Sequence, residues 1–303
     1  MQRTDVEFES GGATCRGWYY RPDGSQGALP CVVMAHGFGA TRDASLEPYA
    51  SRFAEAGFAV LLFDYRHFGA SDGEPRQLVS VRRQLEDYAS AIGFARSQDD
   101  VDRDRIAVWG TSFSGGHALV TAARVPGIAA AVCQCPMMDG WKAVLNILRY
   151  AGPGQVLRLT LHGLRDLLLS VTGRAHYIPT VGPPGTLAVM SSEDAEAGYR
   201  ALMPPHAPLE VAARIALLVP LYRPVSDAGR VACPVLIQVC ERDSVAPAGA
   251  AEEVARRLGP RGELVRYPIG HFEPYFGEWF ERSVGDQLAF LRRHLGGAAV
   301  TSP

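Results

Sequence analysis

The chain has 303 residues, of which 47% are hydrophobic, so it can bury a full core as one large domain or as a domain with an insertion. Its formal net charge of −2 argues against a nucleic-acid-binding protein and against binding to an anionic membrane surface. The first ten residues lack an apolar signal region, and no apolar run reaches the length of a membrane span, so we expect a cytoplasmic protein with no membrane partner.

The six cysteines indicate a reduced core. Five of them lie in or beside strand-like segments, and Cys15 lies near the N-terminus. Cys133 and Cys135 are close enough to suggest a metal site, but no second pair of ligands follows at a usual spacing. We therefore expect no metal site.

The first half of the chain alternates between strand-like and helix-like segments. Residues 6–10 and 14–21, on either side of two glycines, predict an antiparallel hairpin at a sheet edge. Four apolar runs predict buried parallel strands, at 31–35, 58–63, 106–109 and 128–133. Helical patterns lie at 46–56, at 79–97 and from residue 113 onward. Such alternation predicts an α/β fold with a mostly parallel sheet and helices on both faces.

The alternation stops between residues 137 and 230. Helical patterns recur there without a convincing strand, at 141–150, 156–171, 195–202 and 209–218, and residues 177–185 look irregular. We expect this segment to be a helical cap that is inserted into the α/β core and covers the strand ends. The core would then comprise residues 1–136 and 231–303.

Strands and helices return in the last part of the chain. Strands are predicted at 235–239 and 263–267, and helices at 249–258 and 280–295. Residues 296–303 look like a frayed tail.

Ser112 is the candidate nucleophile. It lies on a tight turn between the strand at 106–109 and the following helix, among small residues that such a turn requires. The turn holds the hydroxyl away from the backbone, and the N-terminus of the helix favours a developing oxyanion.

Two other serines have to be weighed against Ser112. Ser114 occupies the place of the second glycine in the pattern Gly-x-Ser-x-Gly, and it is itself an alternative nucleophile. Ser71 lies in Gly69-Ala-Ser-Asp-Gly73, which fits the pattern fully but does not follow a strand directly. We therefore interpret Ser71 as a loop residue.

An acid and a base follow the last two predicted strands. Asp243 comes a few residues after the strand at 235–239, and His271 follows the strand at 263–267. A serine hydroxyl needs a base to remove its proton, and that base needs a partner to orient it. The order Ser112, Asp243, His271 is typical of an α/β-hydrolase triad. Glu241 is the rival acid.

An oxyanion hole needs two N–H donors. The residue after the nucleophile, Phe113, supplies the first candidate. The second should lie in His36-Gly-Phe-Gly39, where flanking glycines let the backbone bend, and Phe38 is the best position.

These motifs together resemble the α/β-hydrolase superfamily, in particular dienelactone-hydrolase-like esterases and serine peptidases of the X-prolyl or aminopeptidase kind. The resemblance covers residues 1–136 and about 231–295. It implies Ser112 as nucleophile, Asp243 as acid and His271 as base, with Phe38 and Phe113 as oxyanion donors.

The expected activity is hydrolysis of a carboxylic ester or lactone of a largely apolar small molecule through an acyl-enzyme, with no cofactor. Trp141 and Tyr150 are expected at the entrance to the pocket. A peptidase, amidase or thioesterase with the same triad stays open, as do an acyltransferase or cyclase and a non-catalytic binding protein. We expect a small-molecule substrate and no nucleic-acid partner, and leave open a homodimer.

Overall fold

The structure is a computed structural model that describes residues 1–296. The predicted frayed tail, apart from its first residue, lies outside the described residues. None of the described helices is both long enough and apolar enough to cross a membrane.

The core of the molecule is an eight-stranded sheet in the order β1-β2-β4-β3-β5-β6-β9-β10. The first two pairs in this order, β1 with β2 and β2 with β4, are antiparallel, and the other five pairs are parallel. The expected hairpin forms β1 and β2 at one edge of the sheet. The strands are β1 Gln2–Ser10, β2 Ala13–Arg21, β3 Leu29–Ala35, β4 Ala59–Phe63, β5 Val101–Thr111, β6 Ile128–Gln134, β9 Val235–Cys240 and β10 Gly262–Tyr267.

Helices cover both faces of the sheet, which confirms the predicted α/β-hydrolase fold. The helices that follow strands of the sheet are α1 Glu47–Glu55, α2 Val81–Ser97, α3 Phe113–Arg124, α7 Ala248–Leu258 and α8 Gly277–Leu295. Strand residues alternate between the two faces because side chains of a strand point to opposite sides. On β3, Cys31 and Val33 pack in the core under α2, α3 and α7, whereas Val32 and Met34 pack in the core under α1 and α8.

Residues 137–230 add no strand to the large sheet. They contain α4 Gly140–Ser170, α5 Ala195–Leu202, α6 Ile215–Leu218 and a separate two-stranded sheet of β7 Tyr177–Pro179 and β8 Glu210–Ala212. The division into core and cap domains stays a prediction.

The expectation that this segment holds no strand is wrong. β7 and β8 pair antiparallel, with Ile178 opposite Val211. The predicted helix at 209–218 is correspondingly reduced to its last four residues. The amide of Ala212 donates to the backbone carbonyl of Gln77 at 3.0 Å, and the Gln77 side chain donates to the carbonyl of Glu210 at 3.2 Å. These partners are distant in sequence, so the local pattern could not reveal them.

The two helices predicted at 141–150 and 156–171 form one 31-residue element with a break. Gly152 has φ 75° and ψ 176°, outside the helical range, and Pro153 follows it. Asp139 caps the start, because its carboxylate accepts hydrogen bonds from the amides of Trp141 and Lys142 at 3.0 and 3.3 Å.

Candidate active site

Ser112 lies at the sharp turn from β5 into α3. Its φ of 54° and ψ of −117° place a non-glycine residue in a strained conformation of the kind found at functional sites. The turn leaves no room for a side chain at Gly110, where a Cβ would lie 1.8 Å from the carbonyl oxygen of Ser114. The amide of Ser112 donates to the carbonyl of Gln134 at 2.9 Å, which fixes the turn against the end of β6.

Ser114 faces the interior, and its hydroxyl already has partners. Its side chain is fully buried. The hydroxyl donates to the backbone carbonyl of His36 and lies 2.8 Å from the Tyr65 hydroxyl. Ser71 is also buried in a loop, where its hydroxyl donates to the carbonyl of Asp64 at 2.7 Å and accepts from the amide of Arg16 at 2.8 Å.

The structure brings Ser112, His271 and Asp243 together. The Nε2 atom of His271 lies 3.0 Å from the Ser112 hydroxyl oxygen, and its Nδ1 atom lies 2.6 Å from Oδ2 of Asp243. The other carboxylate oxygen of Asp243 accepts from the amides of Val245 and Ala246 at 2.8 and 2.6 Å. Both oxygens of the carboxylate are therefore held by hydrogen bonds, and the imidazole is directed at the serine. Glu241, the rival acid, is exposed, and within residues 1–296 the carboxylate that pairs with His271 is that of Asp243.

The charge of Asp243 controls the ionisation of His271. Burial by itself lowers the pKa of the imidazole, because it disfavours the charged form. The charge and hydrogen bond of Asp243 act in the opposite direction, together with the charges of Cys135 and Asp194, and the pKa is raised to about 9. An imidazolium formed at this position is thus stabilised by its surroundings.

The loop after β3 lies directly against the serine. A Cβ on Gly37 would lie 3.3 Å from the Ser112 Cβ, so only a glycine lets this backbone come so close without a shift. Within residues 1–296, the amide groups of Phe38 and Phe113 donate to no other residue. Two unpaired N–H groups beside a serine hydroxyl could receive an oxyanion.

Two further contacts hold this loop in place. The hydroxyl of Tyr199, on α5, donates to the carbonyl of Phe38 at 2.9 Å. Asp64, at the end of β4, accepts from the amides of Arg42 and Ala70 at 2.7 and 3.1 Å. Burial raises the pKa of Asp64 to about 6, against the opposing effect of Arg42.

Two apolar cavities meet at Ser112. We call the first the Leu202 pocket and the second the Ile147 pocket, and both are open to solvent and lined mainly by apolar side chains. Both include Phe38, Ser112 and Met190. The Leu202 pocket is lined further by Ala44, Leu46, Tyr199, Leu202, Met203 and His271, and the Ile147 pocket by Met137, Ala143, Asn146, Ile147, Tyr150, Val219 and Val245.

Of the two residues expected at the pocket, only Tyr150 lies there. Trp141 lines neither cavity, and 54% of its surface is exposed. The structure therefore places Trp141 outside the lining of both cavities, and its place at the entrance stays a prediction. It occupies the first turn of α4, whereas the cavity is lined by the face of α4 that carries Ala143, Asn146 and Ile147.

Sequence reasoning missed the pocket face of α4 and the contribution of α5. The residues Ala143, Asn146, Ile147 and Tyr150 follow the i, i+3, i+4, i+7 spacing of one helical face, which is a signal the sequence does carry. Tyr199 has no such signal, because its partner lies 161 positions away. Over residues 1–296, no three His, Cys, Asp or Glu side chains are grouped so that they could hold a metal ion.

The chain is similar to known proteins over different parts of its length. The family of X-Pro dipeptidyl-peptidases (S15 family) matches residues 18–151. The quorum-quenching protein AidA of Acinetobacter baumannii (strain MDR-ZJ06) is 44% identical over 292 residues, which cover 95% of this chain and 94% of AidA. The thiohydrolase aneE of Aspergillus aculeatus is 36% identical over 137 residues, which cover 45% of this chain and 42% of that protein.

A solved structure is similar to this chain over nearly its whole length. The crystal structure of the alpha/beta hydrolase GrgF from Penicillium sp. sh18 superposes with a TM-score of 0.81 and 27% identity, over 97% of this chain and 99% of GrgF. The curated grgF sequence, named a polyketide transferase, is 39% identical over 140 residues, which cover 46% of this chain and 47% of grgF. The near full-length similarity to AidA and the common sheet topology establish that this chain belongs to the α/β-hydrolase superfamily, in the family of AidA.

Proposed function

We propose that the chain is a serine hydrolase that cleaves a carboxylic ester or lactone of a largely apolar small molecule. The observation that carries this proposal is the continuous chain of contacts from Asp243 through His271 to Ser112, at 2.6 and 3.0 Å. A serine, a histidine and a carboxylate in this arrangement activate a hydroxyl for attack on an acyl group.

In the proposed mechanism, the Nε2 atom of His271 accepts the proton as the Ser112 oxygen attacks the carbonyl carbon. The amides of Phe38 and Phe113 hold the oxyanion of the tetrahedral intermediate. His271 then gives the proton to the leaving alkoxide, which departs as an alcohol and leaves an acyl-enzyme. Water, deprotonated by His271, attacks that ester, and its collapse releases the carboxylic acid and restores Ser112.

The two apolar pockets support a substrate with apolar groups on both sides of the scissile bond. Each extends from Ser112 and includes Phe38, and the first contains His271, which must reach the leaving group. An acyl chain in one pocket and an alcohol portion in the other would place the carbonyl between the serine and the proposed oxyanion donors. A lactone would use the same space, with both portions joined.

Transfer of the acyl group to an acceptor other than water is the second candidate function. A second pocket beside the acyl-enzyme could hold such an acceptor, and a relative is named a polyketide transferase. A thioesterase activity is the third, because another relative is named a thiohydrolase. AidA is named a quorum-quenching protein, so hydrolysis of a signalling molecule is a further variant of the ester or lactone proposal.

The test is hydrolysis of p-nitrophenyl esters from acetate through decanoate, together with a matching series of acylated lactones and thioesters. We expect turnover by the wild-type protein and its loss, by at least ~10³-fold, in Ser112→Ala. The chain-length optimum measures the pocket that receives the acyl group. Equal rates in the two proteins would contradict the assignment of Ser112.

A fluorophosphonate probe with mass-spectrometric mapping of the adduct supplies the control. We expect the adduct on Ser112, and we expect Ser114→Ala to keep that adduct because its hydroxyl faces the interior. An adduct on Ser114, or none on folded protein, would contradict the proposal. Partitioning of the acyl-enzyme between water and added alcohols separates hydrolase from transferase.

A further inference from the structure

The second half of α4, together with the residue that ends it, Val171, exposes a regular row of apolar side chains to solvent. Its members, which we call the outer seam, succeed each other at intervals of four, three, four and three residues. Their exposed fractions lie between 45% and 87%. The outer seam consists of Leu157, Leu161, Leu164, Leu168 and Val171.

All members of the outer seam are exposed to solvent. The opposite face of the same helix packs against the rest of the chain, with Leu159, Gln155 and Asp166 buried. A Cβ on Gly163 would lie 2.9 Å from Leu217, which places that face directly on α6. The helix is thus held by one face, and the outer seam is a separate surface.

The spacing of the outer seam is that of a coiled-coil interface. A helix that covers a core shows a broad apolar stripe, whereas apolar residues repeated every 3.5 residues keep a narrow seam facing one partner helix. We propose that α4 pairs with α4 of a second copy of this chain along the outer seam, in a symmetric dimer. The same patch then serves both copies, as two-fold symmetry requires.

The exposed area fits such a dimer. The outer seam exposes roughly 600 Å² of largely apolar surface, at the upper limit for a monomeric protein. Covering it in two copies buries roughly 1,200 Å², the lower bound of a stable interface. Leu167, half exposed beside the seam, widens the contact.

The charges favour a second copy over a lipid surface. Only Arg158 and Arg165 carry charge at the positions flanking the outer seam, and the Arg158 guanidinium is directed away to the carbonyl of Gly185 at 3.1 Å. Recognition of an anionic membrane uses clusters of about four to eight basic residues, and this chain has a net charge of −2. Because so few charges flank the outer seam, two copies can meet along it with little electrostatic repulsion.

The experiment measures the mass in solution by sedimentation equilibrium, from about 1 to 100 µM, for the full chain. We expect twice the chain mass of 32.7 kDa for the wild type and the single mass for the double variant Leu161→Glu, Leu168→Glu. The matched control is Leu148→Glu, since Leu148 is exposed on the same helix before the break and lies off the seam. This control should remain a dimer.

Three results would overturn the proposal. One is a wild-type monomer at 100 µM, and another is a dimer that persists in the double variant. The third is a monomer that co-sediments with vesicles of anionic phospholipid, which would make the outer seam a membrane-binding face. Circular dichroism confirms that each variant is folded, so that loss of the dimer cannot be attributed to unfolding.

Discussion

Replacing Asp243 with asparagine separates the charge of this residue from its shape. In the wild type, the pKa of His271 is raised to about 9, although burial lowers it, because the Asp243 carboxylate lies 2.6 Å from Nδ1. The asparagine keeps the size but removes the charge. Burial is then opposed less strongly, so we expect the pKa of His271 in Asp243→Asn to fall below its ordinary value of ~6.5.

The shift in the pKa of His271 can be measured in two ways, through stability and through kinetics. A pKa raised from ~6.5 to about 9 corresponds to about 3 kcal/mol of stabilisation of the imidazolium in the folded protein. Because the folded-state pKa is the higher one, this contribution to stability is full below pH ~6.5 and is lost as the pH rises to about 9. We expect urea unfolding of the wild type to show this loss and Asp243→Asn to lack it.

The pH dependence of the kinetics runs opposite to that of stability, because activity rises with pH where stability falls. The proposed base must be neutral, so kcat/KM of the wild type should rise through pH 7 and 8 and level off near pH 9. Asp243→Asn should lose ~10⁴-fold in kcat, because the amide favours the wrong tautomer, and its residual activity should be independent of pH above 6.5. A wild-type profile already flat at pH 6.5, or a variant with the same profile as the wild type, would refute the assigned role of Asp243.

Three other substitutions probe the turn, the loop and the pocket. Gly110→Ala places a Cβ 1.8 Å from a backbone carbonyl oxygen, so urea unfolding should show a loss of at least ~3 kcal/mol in the free energy of unfolding. The control is Gly93→Ala, at an exposed position of α2 where a Cβ meets no atom within 4 Å. This control should stabilise the protein by ~0.5–1 kcal/mol. Tyr199→Phe removes the hydrogen bond to the carbonyl of Phe38, so kcat for an ester should fall ~10-fold while KM stays nearly unchanged. A ~10-fold rise in KM with kcat unchanged would argue against a role of Tyr199 in holding the oxyanion loop. Ile147→Trp fills one pocket, so kcat/KM for decanoate should fall ~10-fold or more while that for acetate is kept, and a uniform loss would place the acyl chain elsewhere.

The sheet could be predicted because its information is local. The buried strands are short apolar runs, and each is followed by a helix with its own periodicity, so the order of elements largely fixes the topology. Chain order also predicted that loops after three strands carry Ser112, Asp243 and His271, since the carboxyl ends of parallel strands meet at one edge. The bounds differ mainly where a strand extends beyond its apolar part, as β5 does into Val101–Thr111.

The segment from 137 to 230 was less predictable, because its structure depends on partners elsewhere in the chain. β8 is three residues long and is held by β7 and by the loop at Gln77, so its own sequence resembled the start of a helix. The cavities beside Ser112 likewise depend on contacts between residues that are distant in sequence. Met190 and Tyr199 reach Ser112 only through the fold of this segment, and single residues of this kind carry no periodic signal.

The serine that replaces the second glycine of the elbow has a structural explanation. A glycine at position 114 would leave the backbone carbonyl of His36 without the hydroxyl that bonds it, and Tyr65 would lose the same partner. Those two residues follow β3 and β4, and Ser114 follows β5, so one buried hydroxyl joins the ends of three adjacent strands. The carbonyl it holds lies two residues before Phe38. Ser114 therefore connects the turn that presents Ser112 to the loop that carries the proposed oxyanion donor, and the departure from the pattern strengthens the arrangement that the pattern predicts.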